Sequence, residues 1–175
     1  TEDAQENTDI TFFTPRVSRG EDYGHAIHEL FEAAVQGHLP KDETAFIKHH
    51  LSQYGLNKYA SDAKQALDNL RASHLWQECQ SSKEVHTEVP FASFQKKDTL
   101  PGVLRGVMDL IYRIDGGWKL VDFKTSGVEK SDLEALKNQY VDQITIYATQ
   151  WENLTGEKVI EKGLWSTEHS QWIDI

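Results

Sequence analysis

Cysteine is nearly missing from this chain of 175 residues: Cys79 stands alone. A single cysteine excludes an internal disulfide framework and a four-cysteine iron–sulfur cluster, and it fits a reducing cytosol. Basic residues are scarce as well. Against 28 Asp and Glu there are 18 Lys and Arg, a formal charge of −10, whereas a free-standing nucleic-acid binder needs a basic footprint. Any nucleic acid handled here must therefore meet metal ions that offset the acidity, or be held by another domain. No apolar run approaches the roughly 18 to 20 residues that cross a bilayer, and no signal-peptide pattern opens the chain. Internal repeats, low-complexity tracts, a P-loop and a dinucleotide fingerprint are all missing. Thr1 is not an initiator Met, so the sequence reads as a processed chain or a piece of a longer one.

What is present suits one domain with a sizeable core: 38% hydrophobic residues, with 5 Trp and 7 Phe, too many for a disordered chain. Residues 1–18 read as an acidic tail and a short anchoring segment, and 19–175 as the domain, with helices over 19–80 and a sheet with one further helix over 84–175. Apolar periodicity predicts helices at about 19–36, 40–55 and 61–79. The first carries Ala26, Ile27, Leu30, Phe31 and Ala34 on one stripe, with Gly24 open to close approach and Gly37 as the stop. His25 and His28 lie on it one turn apart, and His28 borders the apolar stripe. His49 and His50 are adjacent on the second helix and face different directions, which suits structural roles. The third helix directs Ala63, Ala66, Leu67, Leu70, His74 and Leu75 inward.

Residues 84–94 alternate as a strand, with Pro90 marking an edge or an end, and Glu88 on it could reach a site on the next strands. Residues 95–101 read as a polar connection. The stretch 106–125 is the most informative. Two apolar-rich runs flank Asp115-Gly116-Gly117, a β-hairpin signal. An Asp115-Gly116 loop places Asp109 opposite Asp122; a Gly116-Gly117 loop places it opposite Lys124. Either keeps Asp109, Asp122 and Lys124 on one face, whereas a three-residue loop without a bulge splits them. Two carboxylates facing each other repel, so the pattern implies a cation, and hard divalent ions take one or two carboxylates plus water and phosphate oxygens. A helix over 131–153 follows, with Leu133, Leu136, Tyr140, Ile144, Tyr147 and Trp151 as its apolar stripe and Gln143 at its border. Strands over 158–167 and 169–175 close the chain as a hairpin.

Taken in order, Gly24-His-Ala-Ile-His28, Glu88, Gly106-Val-Met-Asp109, Asp122-Phe-Lys124 and Gln143-Ile-Thr-Ile-Tyr147 resemble the motifs of the RecB-type nuclease domain of the PD-(D/E)XK superfamily, as found at the C-terminus of UvrD-like helicases such as AddA and RecB. The resemblance covers roughly residues 19–151. It implies an α/β fold, a restriction-endonuclease-like core with a small mixed sheet flanked by helices and an N-terminal helical region. It favours His28 over His25, and implies that His28, Asp109, Asp122 and the Phe123 backbone carbonyl bind one or two Mg²⁺ or Mn²⁺ ions, with Glu88 as a further ligand. Asp109, Asp122, Lys124, Gln143 and Tyr147 become the catalytic set, Lys124 orienting or deprotonating a water or stabilising the transition state. Gln143, Tyr147 and Thr125 become DNA contacts. The lone Cys79 departs from relatives with an iron–sulfur staple, so no cluster is expected. The implied activity is a metal-dependent deoxyribonuclease acting on single-stranded DNA or duplex ends. It would be the exonuclease part of a bacterial cytosolic helicase-nuclease in double-strand-break repair or recombination, with helicase domains in the same polypeptide or complex and no membrane partner. The rival is an inactive module of the same fold serving a helicase, and a free-standing exonuclease is a further alternative.

Overall fold

The computed structural model describes residues 20–97, 100–125 and 132–175; the expected tail over 1–18 lies outside them. Four helices come first: α1 (Glu21–Val35), α2 (Glu43–Ser52), α3 (Ala60–Arg71) and α4 (His74–Ser81). Then follow β1 (Val85–Lys97), β2 (Leu100–Ile114), β3 (Gly117–Lys124), α5 (Leu133–Thr155), β4 (Val159–Ser166) and β5 (Gln171–Asp174). The five strands form one sheet in chain order. All neighbours are antiparallel except β3 and β4, which run parallel across α5. This is the expected mixed sheet between helices.

Each face of the sheet has its own core. On one side, Ala26, Ile27, Leu30 and Phe31 of α1 and the stripes of α2 to α4 pack on Leu110, Tyr112, Val121 and Phe123. On the other, Leu136, Tyr140, Ile144, Tyr147 and Trp151 of α5 pack on Ile111, Trp118, Leu120 and Leu164. At about 1.5–3 kcal/mol for each large apolar side chain removed from water, these two layers dominate the fold's stability. β3 lies between them, and every residue from Gly117 to Lys124 is buried.

Two expectations are corrected. The helix over 61–79 is two helices, because Ser73 interrupts it: its hydroxyl donates to the Leu70 carbonyl and accepts from the Trp76 amide, capping α4. The break turns His74 outward, with 81% of its side chain exposed. Residues 95–101 are mostly not a connection, since Gln95 pairs with Gly102, Lys96 with Pro101 and Lys97 with Leu100; backbone pairing carries the ribbon past the polar side chains. Of the two places expected for Pro90, the structure has the edge: it sits within β1 opposite Val107, and β1 is an edge strand. Ser131 lies outside the described residues, and α5 extends to Thr155 before Gly156 ends it at φ 74°.

Candidate functional site

The hairpin turn takes the first of the two admissible registers. Ile114 pairs with Gly117, leaving Asp115-Gly116 as the loop, with Gly116 at φ 85°. Regular pairing runs back to Leu110 opposite Val121, so the next step along the ladder brings Asp109 level with Asp122. There the strands change character. Leu110 and Tyr112 face the helical cap, but Met108 faces α5, although residues two apart in a strand share a face. β1 does the same: Val85 faces the cap, while Val89 and Phe91 face α5. The two strands switch faces together, between Thr87 and Val89 on one and between Leu110 and Met108 on the other, which remain cross-strand partners. Glu88 and Asp109 occupy the crease. Glu88 holds φ 49°, a left-handed conformation that costs a side-chain-bearing residue about 1–2 kcal/mol.

The crease turns both carboxylates toward α1. His28 Nε2 donates to the Phe123 carbonyl at 2.9 Å, and Nδ1 lies 3.4 Å from Asp109 Oδ1. The other Asp109 oxygen accepts from the Phe123 amide at 2.7 Å. His28, Glu88 and Asp109 each offer a ligand atom within 4.8 Å of the others. His25, one turn earlier, is 67% exposed at its side chain and pairs with Glu29 at 3.6 Å. His50 donates to the Ala26 carbonyl and is structural, as expected.

On the α5 side, Lys124 Nζ lies 2.6 Å from Asp122 Oδ2 and 4.1 Å from the centre of the Tyr140 ring. Gln143 donates to the Tyr147 hydroxyl at 2.8 Å, and the Tyr147 ring meets Phe91 edge-on with centroids 5.2 Å apart. Gly106 is required here, because a Cβ on it would lie 2.7 Å from Phe91 and 2.9 Å from Tyr147. A Cβ on Gly24 would lie 3.0 Å from the Thr125 hydroxyl, so the absent side chain lets α1 approach the end of β3. Tyr140 is the neighbour that sequence reasoning treated as packing alone. Its position three residues before Gln143 and seven before Tyr147 was the available signal.

The electrostatics follow from burial and crowding. Burial opposes the His28 imidazolium, but the Asp109 carboxylate, helped by Asp122, outweighs it and raises the pKa to about 9. A carbonyl at Nε2 and a carboxylate at Nδ1 both call for N–H, so the doubly protonated ring fits. Burial and the Asp109 charge push Glu88 up to about 7. Asp109 is itself opposed by burial but held below the usual carboxylate range by His28, Lys124 and the Phe123 amide. Burial opposes the Lys124 ammonium too, yet Asp122 and Asp109 outweigh it and hold its pKa well above normal. Burial, with the Asp109 charge, outweighs the pull of Lys124 and raises Asp122 above the usual carboxylate range. The 2.6 Å contact with an ammonium held in its charged form makes the ion pair the resting state.

His28, Glu88 and Asp109 thus converge at the crease, and Asp122, Lys124, Tyr140, Gln143 and Tyr147 cluster on the α5 side. The expectation that Asp109 shares one face with Asp122 and Lys124 is corrected, because the strand switches faces at Asp109 and turns its carboxylate to His28. Phe123 links the groups through its backbone. Thr125 stands beyond Lys124 and faces a different cleft. Among the described residues no helix is long and apolar enough to cross a membrane.

A family model described as the PD-(D/E)XK nuclease superfamily matches residues 5–172. Part of the chain is similar to an ATP-dependent helicase/nuclease subunit of Thermoanaerobacter sp. strain X514, with 36% identity over 93 residues, 47% of this chain and 8% of that protein. The same-named protein of Clostridium perfringens strain SM101 is 32% identical over 98 residues, 49% of this chain and 8% of that protein. That of Staphylococcus carnosus strain TM300 is 31% identical over 149 residues, 71% of this chain and 12% of that protein. The chain therefore spans 8% to 12% of the length of these relatives.

Proposed function

Because the chain belongs to the PD-(D/E)XK nuclease superfamily, we propose that it is a divalent-metal-dependent nuclease that hydrolyses DNA phosphodiester bonds. The observation that carries this reading is the convergence of His28, Glu88 and Asp109 within 4.8 Å, beside the Asp122–Lys124 pair. The donor set fits a cation. Two carboxylates share a crease in which each disfavours the other's charge, and the His28 imidazolium fills a place that a metal ion would take with a proton released. Two carboxylates and an imidazole suit Mn²⁺, and Mg²⁺ accepts the carboxylates with water and phosphate oxygens. When bound, the ion supplies Lewis acidity and a water of lowered pKa.

The protein's own groups divide the remaining work. Asp109, held in its ionised form, would anchor an ion, with His28, Glu88 and Asp122 as the other side chains that would hold one or two ions. The Phe123 carbonyl, now bonded to His28 Nε2, would be a further oxygen donor. Lys124 remains protonated because Asp122 and Asp109 favour its charge, so it stabilises negative charge on the phosphate rather than removing a proton. Tyr140 holds its ammonium in place by a cation–π contact. Gln143 and Tyr147 orient the strand, and Thr125 contacts DNA beyond the scissile bond.

A charge of −10 favours a nuclease whose DNA is delivered by other domains. We read residues 19–175 as one nuclease domain and as the exonuclease part of a cytosolic helicase-nuclease in double-strand-break repair or recombination. The relatives' shared description as ATP-dependent helicase/nuclease proteins supports that setting. Cleavage of end-labelled single-stranded and duplex DNA with Mg²⁺ or Mn²⁺ tests the proposal. Activity should vanish with chelator and fall at least about 100-fold in Asp122→Ala and Lys124→Ala; metal-dependent cleavage that survives both substitutions refutes it.

A further inference from the structure

A second cleft opens at the carboxyl ends of the parallel strands β3 and β4, with a volume of about 160 Å³. Crevices outside the carboxyl ends of parallel strands are where open α/β sheets bind ligands. Its floor is Thr125, immediately after Lys124, and Thr167, whose backbone amide donates to the Lys124 carbonyl at 2.9 Å. Tyr23 of α1 and Gln65 and Asn69 of α3 form the opposite wall.

Thr167 is only 9% exposed, and its hydroxyl has no hydrogen-bond partner among the described residues. A buried hydroxyl left without a partner is costly, so it calls for one that arrives with a ligand. Gln65 donates to Asn69, and Asn69 to Ser170, a chain that fixes the amides of the wall. The cleft is also lined by the acidic Asp62 and Glu168, and no Lys or Arg lines it among the described residues. An anion such as phosphate would meet repulsion there. A flat neutral group with hydrogen-bonding edges would not.

We propose that this cleft is a nucleobase subsite, taking the base of the nucleotide next to the scissile phosphate. The proposal rests on the nuclease reading above. Thr125 lies 3.0 Å from where a Cβ on Gly24 of α1 would stand, one turn before His28, so the cleft adjoins the crease on the α1 side and a base seated in it is next to a phosphate held there. The hydroxyls and the Gln65 amide offer the hydrogen-bonding groups for a base edge. The subsite would register the strand before cleavage through neutral hydrogen bonds rather than phosphate contacts.

Binding is tested first, independently of cleavage. Deoxycytidine and deoxyadenosine are titrated into isotope-labelled protein, with inorganic phosphate as the counter-probe. Amide shifts at Thr125 and Thr167 with the nucleosides and none with phosphate are expected. Shifts with phosphate alone, or no shifts at all, overturn the proposal. Cleavage then uses oligonucleotides with a single abasic residue walked past the cut bond. The wild type should lose at least about five-fold in kcat/KM at one adjacent position. Thr167→Val should lose that sensitivity and, having shed an unpartnered hydroxyl, melt a few degrees higher. Should Thr167→Val fail to fold, Gln65→Ala, at the wall, serves in its place. A wild type indifferent to abasic position, or a variant as sensitive as wild type, contradicts the subsite. Failure to cut intact DNA would instead count against the nuclease reading, leaving the nucleoside titration to judge the cleft.

Discussion

β3 buries two lysines five residues apart, and they sit in opposite kinds of surroundings. Lys119, 5% exposed, faces the cap, with Glu78 and Glu161 each 2.8 Å from its ammonium. Both acids are partly exposed, and Glu78 also accepts from the Tyr112 hydroxyl. Lys124, 8% exposed, faces α5 with the short, buried Asp122, while Asp109 and Glu88 crowd nearby at a strained crease. At Lys119 long flexible acids reach in from the rim and satisfy one charge. At Lys124 acids lie on stiff backbone where they repel one another. The first arrangement is complete as it stands. The second leaves crowded carboxylates, which is what the proposed cation would offset.

Removing each lysine in turn breaks that contrast most sharply. Lys124→Ala should lose at least about 100-fold in DNA cleavage. Lys119→Met should keep cleavage within a few-fold and lose about 1–3 kcal/mol of stability in urea unfolding. Equal losses of activity in both would erase the distinction.

A second prediction concerns pH in the metal-free protein. Glu88, raised to about 7, contributes stability that is fully present below its unfolded value near 4.5 and is lost as pH rises through about 7. His28, raised to about 9, contributes stability that is present below about 6.5 and lost as pH rises through about 9. These two groups thus make the metal-free protein progressively less stable from about pH 4.5 to 9. Metal prefers both groups deprotonated, so Mn²⁺ should oppose that decline, and Glu88→Gln should remove its lower part. Thermal melts across pH, with and without Mn²⁺, check this; a decline that metal does not reduce would contradict it.

The smallest expected effect sharpens the role of strain. Glu88→Gly should gain up to about 1 kcal/mol by relieving the left-handed backbone, while weakening metal binding. A variant that loses stability would show that the crease does not strain the backbone at this residue.

Much of this was legible in the sequence. A two-residue turn within 115–117, the α1 stripe with His28 beside it and the α5 stripe all follow from local periodicity and turn chemistry; which of the two turn registers is taken does not. Nor does the crease. Strict alternation assigns faces by counting residues, and nothing in Thr-Glu-Val at 87–89 marks a positive φ, because a non-glycine is held there by tertiary packing. The break at Ser73 was hidden because Ser is tolerated inside helices as well as at their caps. Tyr140 looked like core because its ring is core; only Lys124 beneath it, brought there by long-range packing, adds the second role.

The crease end of the hairpin is the proposed cation site, whereas at the turn end Lys119 is already paired with Glu78 and Glu161. Calorimetric titration of Mn²⁺ into the metal-free protein at pH 8 tests it directly, comparing wild type with Asp109→Asn and Lys119→Met. Wild type and Lys119→Met should bind one or two ions alike, with proton release, and Asp109→Asn should lose at least about ten-fold in affinity. Unchanged binding in Asp109→Asn would contradict the account.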